Sequence, residues 1–287
     1  AVARGAIDAG ISAAYAYPGT PSTEIFQTIQ QQAQALGLPV RGLWSTNEKV
    51  ALEEGVGVSY AGRRAIVSMK HVGLNVAADP FMNVAVSGVH GGLVVVVADD
   101  PSMHSSQNEQ DSRCFADFAM VPCLEPADQQ QCYDFTREAF ELSERLQVPV
   151  LLRLVTRLAH SRAAVRAAPR RPPNDAGWVP DPQRFTLIPV NARRAYAALV
   201  DKQPALLAWS TGHAGNALTV RGSGLPGILV SGIAWNYLQE ALGDQLAGYN
   251  VLRIGAYPLP VASVRALMDA SSSITVVEEG YPVIERL

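Results

Sequence analysis

Cysteine is scarce: three in 287 residues, Cys114, Cys123 and Cys132, spaced nine apart. Iron–sulfur and zinc sites need tighter sets, such as two cysteines separated by two or three residues, so these thiols read as buried or free in a reducing compartment. A long apolar run is also missing. The longest, around Leu93 to Ala98, is far too short to cross a bilayer, and no basic start followed by an apolar core and cleavage site is visible, so the expectation is a cytoplasmic protein with no membrane partner. Charge of one sign is absent too: 23 Lys and Arg against 26 Asp and Glu give a net charge of −3, with no electrostatic footprint for nucleic acid. No phosphate-binding loop ending in Gly-Lys-Ser/Thr, zinc-protease helix or serine-hydrolase elbow occurs. Gly222-Ser-Gly-Leu-Pro-Gly227 spells a dinucleotide fingerprint, but it precedes a predicted strand and Pro226 would obstruct the helix the motif requires.

What is present describes a globular chain, 48% hydrophobic and 17% charged, long enough for two cores. Strand-like and helix-like patterns alternate, which predicts an α/β protein with two parallel-sheet domains. The first spans 1–160. It reads as helix 1–10, strand 13–17, helix 23–36, strand 38–45, a helix from Glu48, strand 64–69, loop 70–75, helix 76–87, strand 92–98, loop 99–113, strand 121–126, helix 128–146 and strand 149–155. Residues 161–184 form a Pro/Arg-rich linker, with five prolines over 160–184 and Arg162, Arg166, Arg170 and Arg171 on a solvated face. The second domain, 185–287, reads as strands near 206–209, 227–230, 251–254 and 274–277, with helices near 191–201, 233–242 and 260–270.

The chain is organised around residues 44–62. Thr46 and Asn47 are helix-capping types, and Val50, Ala51, Gly55, Val58 and Ala61 recur at helical spacing, so a strand ending near Trp44 turns into a helix with Glu48 in its first turn. A carboxylate there is either a solvated charge favoured by the helix dipole or a functional group. Gly55, Gly57 and Gly62 on one short helix cost about 1 kcal/mol each against Ala, which points to close packing of another backbone or a ligand. Three loops follow strands, where open α/β sheets bind ligands. Pro18–Ser22 offers Thr20 and Ser22, as caps or as contacts. Lys70–Asn75 offers Lys70 and His71, able to hold an anion or shuttle protons, or simply to bond at the surface. Asp99–Arg113 is a polar stretch of fifteen residues whose Met103, His104, Ser105, Ser106, Gln107 and Asn108 suit a pocket for an aromatic 2-oxo acid, or make an ordinary mobile loop.

Asn47-Glu48 with Ala51, Gly55 and Gly57 resembles the helix of thiamine diphosphate enzymes that carries the cofactor-activating glutamate. Tyr17–Ser22, Met69–Pro80 and Asp99–Arg113 resemble the large (alpha) subunit of indolepyruvate:ferredoxin oxidoreductase, in the 2-oxoacid:ferredoxin oxidoreductase superfamily. Trp178, Asp181-Pro182 and Ser231–Tyr237 fit later segments, so the resemblance runs over essentially all 287 residues. It implies that 1–160 is a pyrimidine-binding domain and 185–287 a transketolase C-terminal-like domain, mainly structural and interfacial. It implies an enzyme that takes an aryl-2-oxo acid, coenzyme A and oxidised ferredoxin to acyl-CoA, carbon dioxide and reduced ferredoxin. Glu48 would be catalytic, sharing a proton with the pyrimidine nitrogen. Thr20, Lys70, His71, Gly73 and Asn75 would contact the cofactor, and Thr20, His104, Ser105, Gln107 and Asn108 the substrate. Mg2+ and the diphosphate would be held by a domain missing from these residues, with [4Fe-4S] clusters and a smaller subunit elsewhere in a hetero-oligomer. The alternatives are a non-redox thiamine lyase or carboligase, and a non-catalytic assembly subunit of the same fold.

Overall fold

Leu93–Ala98 is a continuous apolar run, closed by Asp99, with every residue buried, which is what a parallel strand covered on both faces requires. It lies near the centre of a seven-stranded sheet in the computed structural model of this chain, which describes residues 1–179 and 181–287. Position 180, within the linker expected over 161–184, lies outside them.

In chain order the first part contains α1 (Val2–Asp8), β1 (Ala13–Ala16), α2 (Thr23–Ala35), β2 (Arg41–Trp44), α3 (Glu48–Tyr60), β3 (Ala65–Lys70), α4 (His71–Val76), α5 (Ala78–Ser87), β4 (Leu93–Asp99), α6 (Arg113–Ala119), β5 (Cys123–Leu124), α7 (Gln129–Leu146), β6 (Val150–Val155) and α8 (Thr156–His160). The second contains α9 (Pro182–Phe185), α10 (Pro189–Asp201), α11 (Gln203–Gly212), β7 (Ala217–Thr219), β8 (Leu225–Ser231), α12 (Ala234–Leu242), β9 (Asn250–Ile254), β10 (Ala256–Tyr257), α13 (Val261–Ala270), β11 (Ser271–Val277) and α14 (Val283–Arg286). The large sheet has the order β10-β5-β6-β4-β3-β1-β2, parallel except for β10, which arrives from the second part and pairs antiparallel with β5. The small sheet has the order β11-β8-β9-β7, with only β7 antiparallel. Phe26, Ile29 and Phe140 from α2 and α7 cover one face of the large sheet, while Leu52, Phe81 and Val84 from α3 and α5 cover the other. This second layer is continuous with Leu229, Leu252 and Leu267 of the small sheet and its helix.

The α/β architecture with two mostly parallel sheets agrees with the expectation, and three local readings change. Of residues 70–75, expected as loop, Lys70 ends β3 and the rest lie in the helix α4; Leu74 is fully buried there, so tertiary packing overrides the local glycine. Residues 206–209, expected as a strand, lie in α11: Pro204 occupies its first turn, and the buried pair Leu206 and Ser210 is spaced by one helical turn. The stretch from Arg113 to Ala119, read partly as loop, is α6.

Residues on both sides of position 180 strap the amino-terminal ends of the strands. Asn174 Oδ1 accepts from Arg64 N at 3.0 Å, its Nδ2 donates to Glu144 at 2.7 Å, and Gly177 O accepts from His90 Nε2 at 3.0 Å. Arg184 donates to Val89 O just after α5, and Lys202 to Gln147 O at the end of α7, where carbonyls lack helical partners. With this end covered, the opposite, carboxyl edge of the large sheet is left for function.

Candidate active site

β1, β2 and β3 end side by side, and the segments leaving them form the site. Asn47, extended at φ −162°, caps α3 by accepting from Val50 N at 2.9 Å, which fixes Glu48 as the first helical residue. Glu48 is half-buried, and among the described residues no hydrogen bond or ion pair reaches its carboxylate. Its side chain lies on the backbone of α4: a Cβ added to Gly73 would stand 2.5 Å from Glu48 Oε1 and 2.6 Å from its Cγ. Gly73 therefore has to be glycine for Glu48 to keep this pose. The other glycines divide by cause. A Cβ on Gly55 would meet Val67 at 2.5 Å, so this one allows close helix–strand packing. Gly62 takes φ +80° in the turn that ends α3, and Gly57 has nothing within 4 Å of a Cβ.

Lys70 ends β3 and His71 opens α4, and both are buried. Lys70 Nζ donates to Ser105 O at 3.1 Å, and its side chain runs beside Gly19, whose added Cβ would lie 3.4 Å from that of Lys70. His71 Nε2 lies 3.1 Å from Asn108 O; a carbonyl only accepts, so Nε2 carries the proton and Nδ1 is left buried without a partner. Thr20 is exposed in the turn after β1, where Ser22 Oγ donates to Gly19 O at 2.8 Å and Thr20-Pro21 is cis. Asn75 is exposed near the end of α4.

The loop from Pro101 to Gln110 arches over these groups, held from beneath by Asp100. Asp100 Oδ2 accepts from Ser105 N at 2.8 Å and Ser106 Oγ at 2.6 Å, and its Oδ1 from Thr156 Oγ1 at 2.6 Å. Burial acts to raise this carboxyl, but those bonds outweigh it and hold it well below the usual range. His104, Ser105, Gln107 and Asn108 are exposed on the outer surface of the loop, with Met103 beside them. The structure thus brings together Glu48 with Gly73, and Lys70 and His71 with the backbone of residues 105–108. It leaves Thr20, Asn75, His104 and Gln107 on open surface.

Sequence reasoning missed a second constellation. At the carboxyl ends of β4, β5, β6, β8 and β11, Arg153 Nε bonds Asp99 at 2.7 Å and Nη1 bonds Glu125, while Arg113 grips Asp111 with Nε at 2.9 Å and Nη2 at 2.5 Å. Arg113 Nη1 also reaches Glu278 at 3.0 Å, and Tyr257 donates to Glu125 at 2.7 Å. Both guanidiniums are 1% exposed. One signal was available: Arg153 interrupts the apolar run Val150–Val155, and a charge in a strand covered on both faces needs a partner.

The fold and this edge define a chain of the thiamine diphosphate-binding α/β class. Residues 4–178 match the family described as pyruvate flavodoxin/ferredoxin oxidoreductase, thiamine diphosphate-binding, and the chain belongs to that family. It is 43% identical, over all of its length and 46% of the relative's, to the indolepyruvate oxidoreductase subunit IorA of Methanothermobacter thermautotrophicus. It is 38% identical over 45% of the corresponding subunit of Thermococcus kodakarensis, so the chain spans about half the length of these relatives. A solved structure described as 2-oxoglutarate:ferredoxin oxidoreductase from Magnetococcus marinus with 2-oxoglutarate, coenzyme A and succinyl-CoA bound superposes with a TM-score of 0.75. The superposition covers 96% of this chain and 56% of that one at 18% identity, a likeness of fold.

The chemistry of this edge fits thiamine diphosphate, the cofactor named in the family's description. Glu48 offers a partnerless carboxylate, and the orphan His71 Nδ1 lies buried in the neighbouring helix. Among the described residues no group of three or more His, Cys, Asp or Glu is placed to hold a metal ion, and no helix is long and apolar enough to cross a membrane.

Proposed function

We propose that this chain supplies the pyrimidine-binding half of the active site of a cytoplasmic 2-oxo acid:ferredoxin oxidoreductase that acts on aryl-2-oxo acids of the indolepyruvate type. The overall reaction takes the 2-oxo acid, coenzyme A and oxidised ferredoxin to acyl-CoA, carbon dioxide and reduced ferredoxin. The observation that carries the reading is Glu48, half-buried without a partner against Gly73, in a chain similar along its whole length to indolepyruvate oxidoreductase subunits. Thiamine diphosphate, when bound, supplies the electron sink for decarboxylation. Glu48 would hold a proton for exchange with the cofactor's ring nitrogen. Lys70, tied to Ser105 O, places a cation beside the loop, suited to the carboxylate of the 2-oxo acid. His104, Ser105, Gln107 and Asn108 face the substrate's side chain, and Thr20 and Asn75 border the cofactor. The diphosphate and Mg2+ belong to a domain outside these residues, and the [4Fe-4S] clusters and a smaller subunit to the rest of a hetero-oligomer.

Glu48→Gln keeps size and hydrogen bonding but removes the titratable proton. In the complete enzyme the cofactor should still bind, while hydrogen–deuterium exchange at its thiazolium carbon slows by about a hundredfold. Fast exchange with lowered stability would reduce Glu48 to a helix-end charge. The isolated 287-residue chain should bind thiamine diphosphate weakly by calorimetry, and micromolar binding would reveal a diphosphate site within it.

A further inference from the structure

The small sheet turns its carboxyl edge toward the loop that covers Lys70 and His71. β11 ends at Val277, and Glu278–Tyr281 then passes directly over residues 109–113. Tyr281 is tied at both ends: its hydroxyl donates to Glu109 O at 2.7 Å and its carbonyl accepts from Arg113 Nη2 at 3.2 Å. Gly280 makes this path possible. It takes φ +103°, and a Cβ there would stand 3.0 Å from Asp111 Oδ2 and 3.1 Å from Arg153 Nη2. Glu109 in turn accepts from Ser102 N at 2.7 Å, where Ser102 and Met103 both take positive φ, 66° and 56°. Such backbone persists only where surrounding bonds hold it. Three carbonyls along one side of the loop therefore receive donors from three elements: Ser105 from Lys70, Asn108 from His71 and Glu109 from Tyr281.

We propose that Tyr281 is a positioning residue for the substrate loop, so that the second part of the chain, through one phenolic hydroxyl, sets the affinity of the first part for its 2-oxo acid. The inference rests on the reading of residues 103–108 as the substrate surface. Tyr281 does not touch the reacting atoms. It fixes the Glu109 end of a loop whose other end is anchored on Asp100, and releasing it lets the backbone at 102–109 leave the conformation that holds Lys70 and His71 in place.

The test is Tyr281→Phe in the complete enzyme, a change that deletes one hydroxyl on a side chain 40% exposed and keeps its ring. Amide hydrogen exchange at residues 102–109 should quicken by about tenfold, and KM for an aryl-2-oxo acid should rise by about fivefold, the scale for one lost hydrogen bond. The kcat should stay within about twofold, and exchange at the thiazolium carbon, which reports on Glu48, should not change. Unaltered amide exchange would overturn the clamp itself. Faster amide exchange with an unaltered KM would overturn the link to substrate and, with it, the placing of substrate at this loop. An unmodified enzyme that turns over no 2-oxo acid would sink the proposed function, while the amide exchange still decides the clamp.

Discussion

At the carboxyl ends of β1, β2 and β3 the carboxylate of Glu48 stands half-buried and, among the described residues, without a hydrogen-bond or ion-pair partner, whereas at those of β4, β5, β6 and β11 four carboxylates and two guanidiniums are packed almost out of solvent. Both edges present charged residues just where strands stop. The difference is in what satisfies them. Asp99, Asp111, Glu125 and Glu278 each meet Arg113 or Arg153, and the cluster joins the two sheets. Glu48 lies against the backbone of Gly73, and among the described residues no hydrogen bond or ion pair reaches its carboxylate. A buried charge cluster has to be self-sufficient, because desolvation costs several kcal/mol per ion and only close pairing offsets it. A carboxylate left open beside a glycine is free to serve a ligand. The same surface chemistry thus becomes a fastening at one edge and a site at the other.

The comparison is broken most forcefully by Arg153→Met, which keeps bulk but strips a cation from Asp99, Asp111 and Glu125 at once. Unfolding free energy from denaturant titration should fall by about 3–5 kcal/mol, the usual scale for unpairing buried charge. Glu48→Gln in the same assay should stay within about 0.5 kcal/mol. Similar small losses for both would mean that the closed edge is not a fastening.

Gly73→Ala sharpens the other half of the comparison. Replacing a helical glycine gains about 1 kcal/mol of helix propensity, so the fold should hold. The new methyl group occupies the place of the Glu48 carboxyl, however, and displaces it. Exchange at the thiazolium carbon in the complete enzyme should fall by about thirtyfold, roughly 2 kcal/mol of lost positioning. Full exchange in this variant would show that Glu48 does not need the pose seen here.

Much of the large sheet was legible because its signals are local: the β4 run, the Asn47 cap, and the amphipathic spacing of α2 and α7. The family could be read from long motifs at the same edge. What failed depended on distant partners. His71–Val76 is a six-residue helix with a glycine inside, formed because Leu74 is buried beneath it. The Arg113 cluster draws on Asp111 two residues away but also on Glu278, Ser231 and Tyr257, a separation that leaves no pattern in any window of sequence. The clamp on the loop was invisible for the same reason, and the second unit read as mainly structural.

His104→Ala and Gln107→Ala probe the exposed rim of the open edge. Neither side chain is buried, so stability should hardly change. Preference between indolepyruvate and smaller 2-oxo acids should move by about tenfold, roughly 1.4 kcal/mol, measured as the ratio of kcat/KM values. Unchanged ratios in both variants would remove this loop from substrate choice.

The finest test concerns the balance inside the closed edge, where four carboxylates share two guanidiniums. Asp99 is fully buried, its Oδ1 has no partner, and burial pushes its pKa up against the pull of Arg153. Asp111, which takes bonds from both arginines, is held below its usual value although burial opposes this. The two act in opposite directions on stability. For Asp99 the folded state keeps a proton that the unfolded chain releases near its ordinary pKa of about 3.9, so its contribution is complete below that value and is lost as pH rises toward the raised one. For Asp111 the contribution is present above the ordinary value and is lost as pH falls through the depressed one. Asp99→Asn copies the protonated acid in shape. It should therefore match the parent to within about 1 kcal/mol near pH 4, become the more stable of the two as pH rises from there toward neutrality, and leave the acid limb intact. Denaturant midpoints taken across that range decide it: if the variant declines as steeply as the parent, Asp99 holds no proton and the excess charge at this edge is balanced by another group.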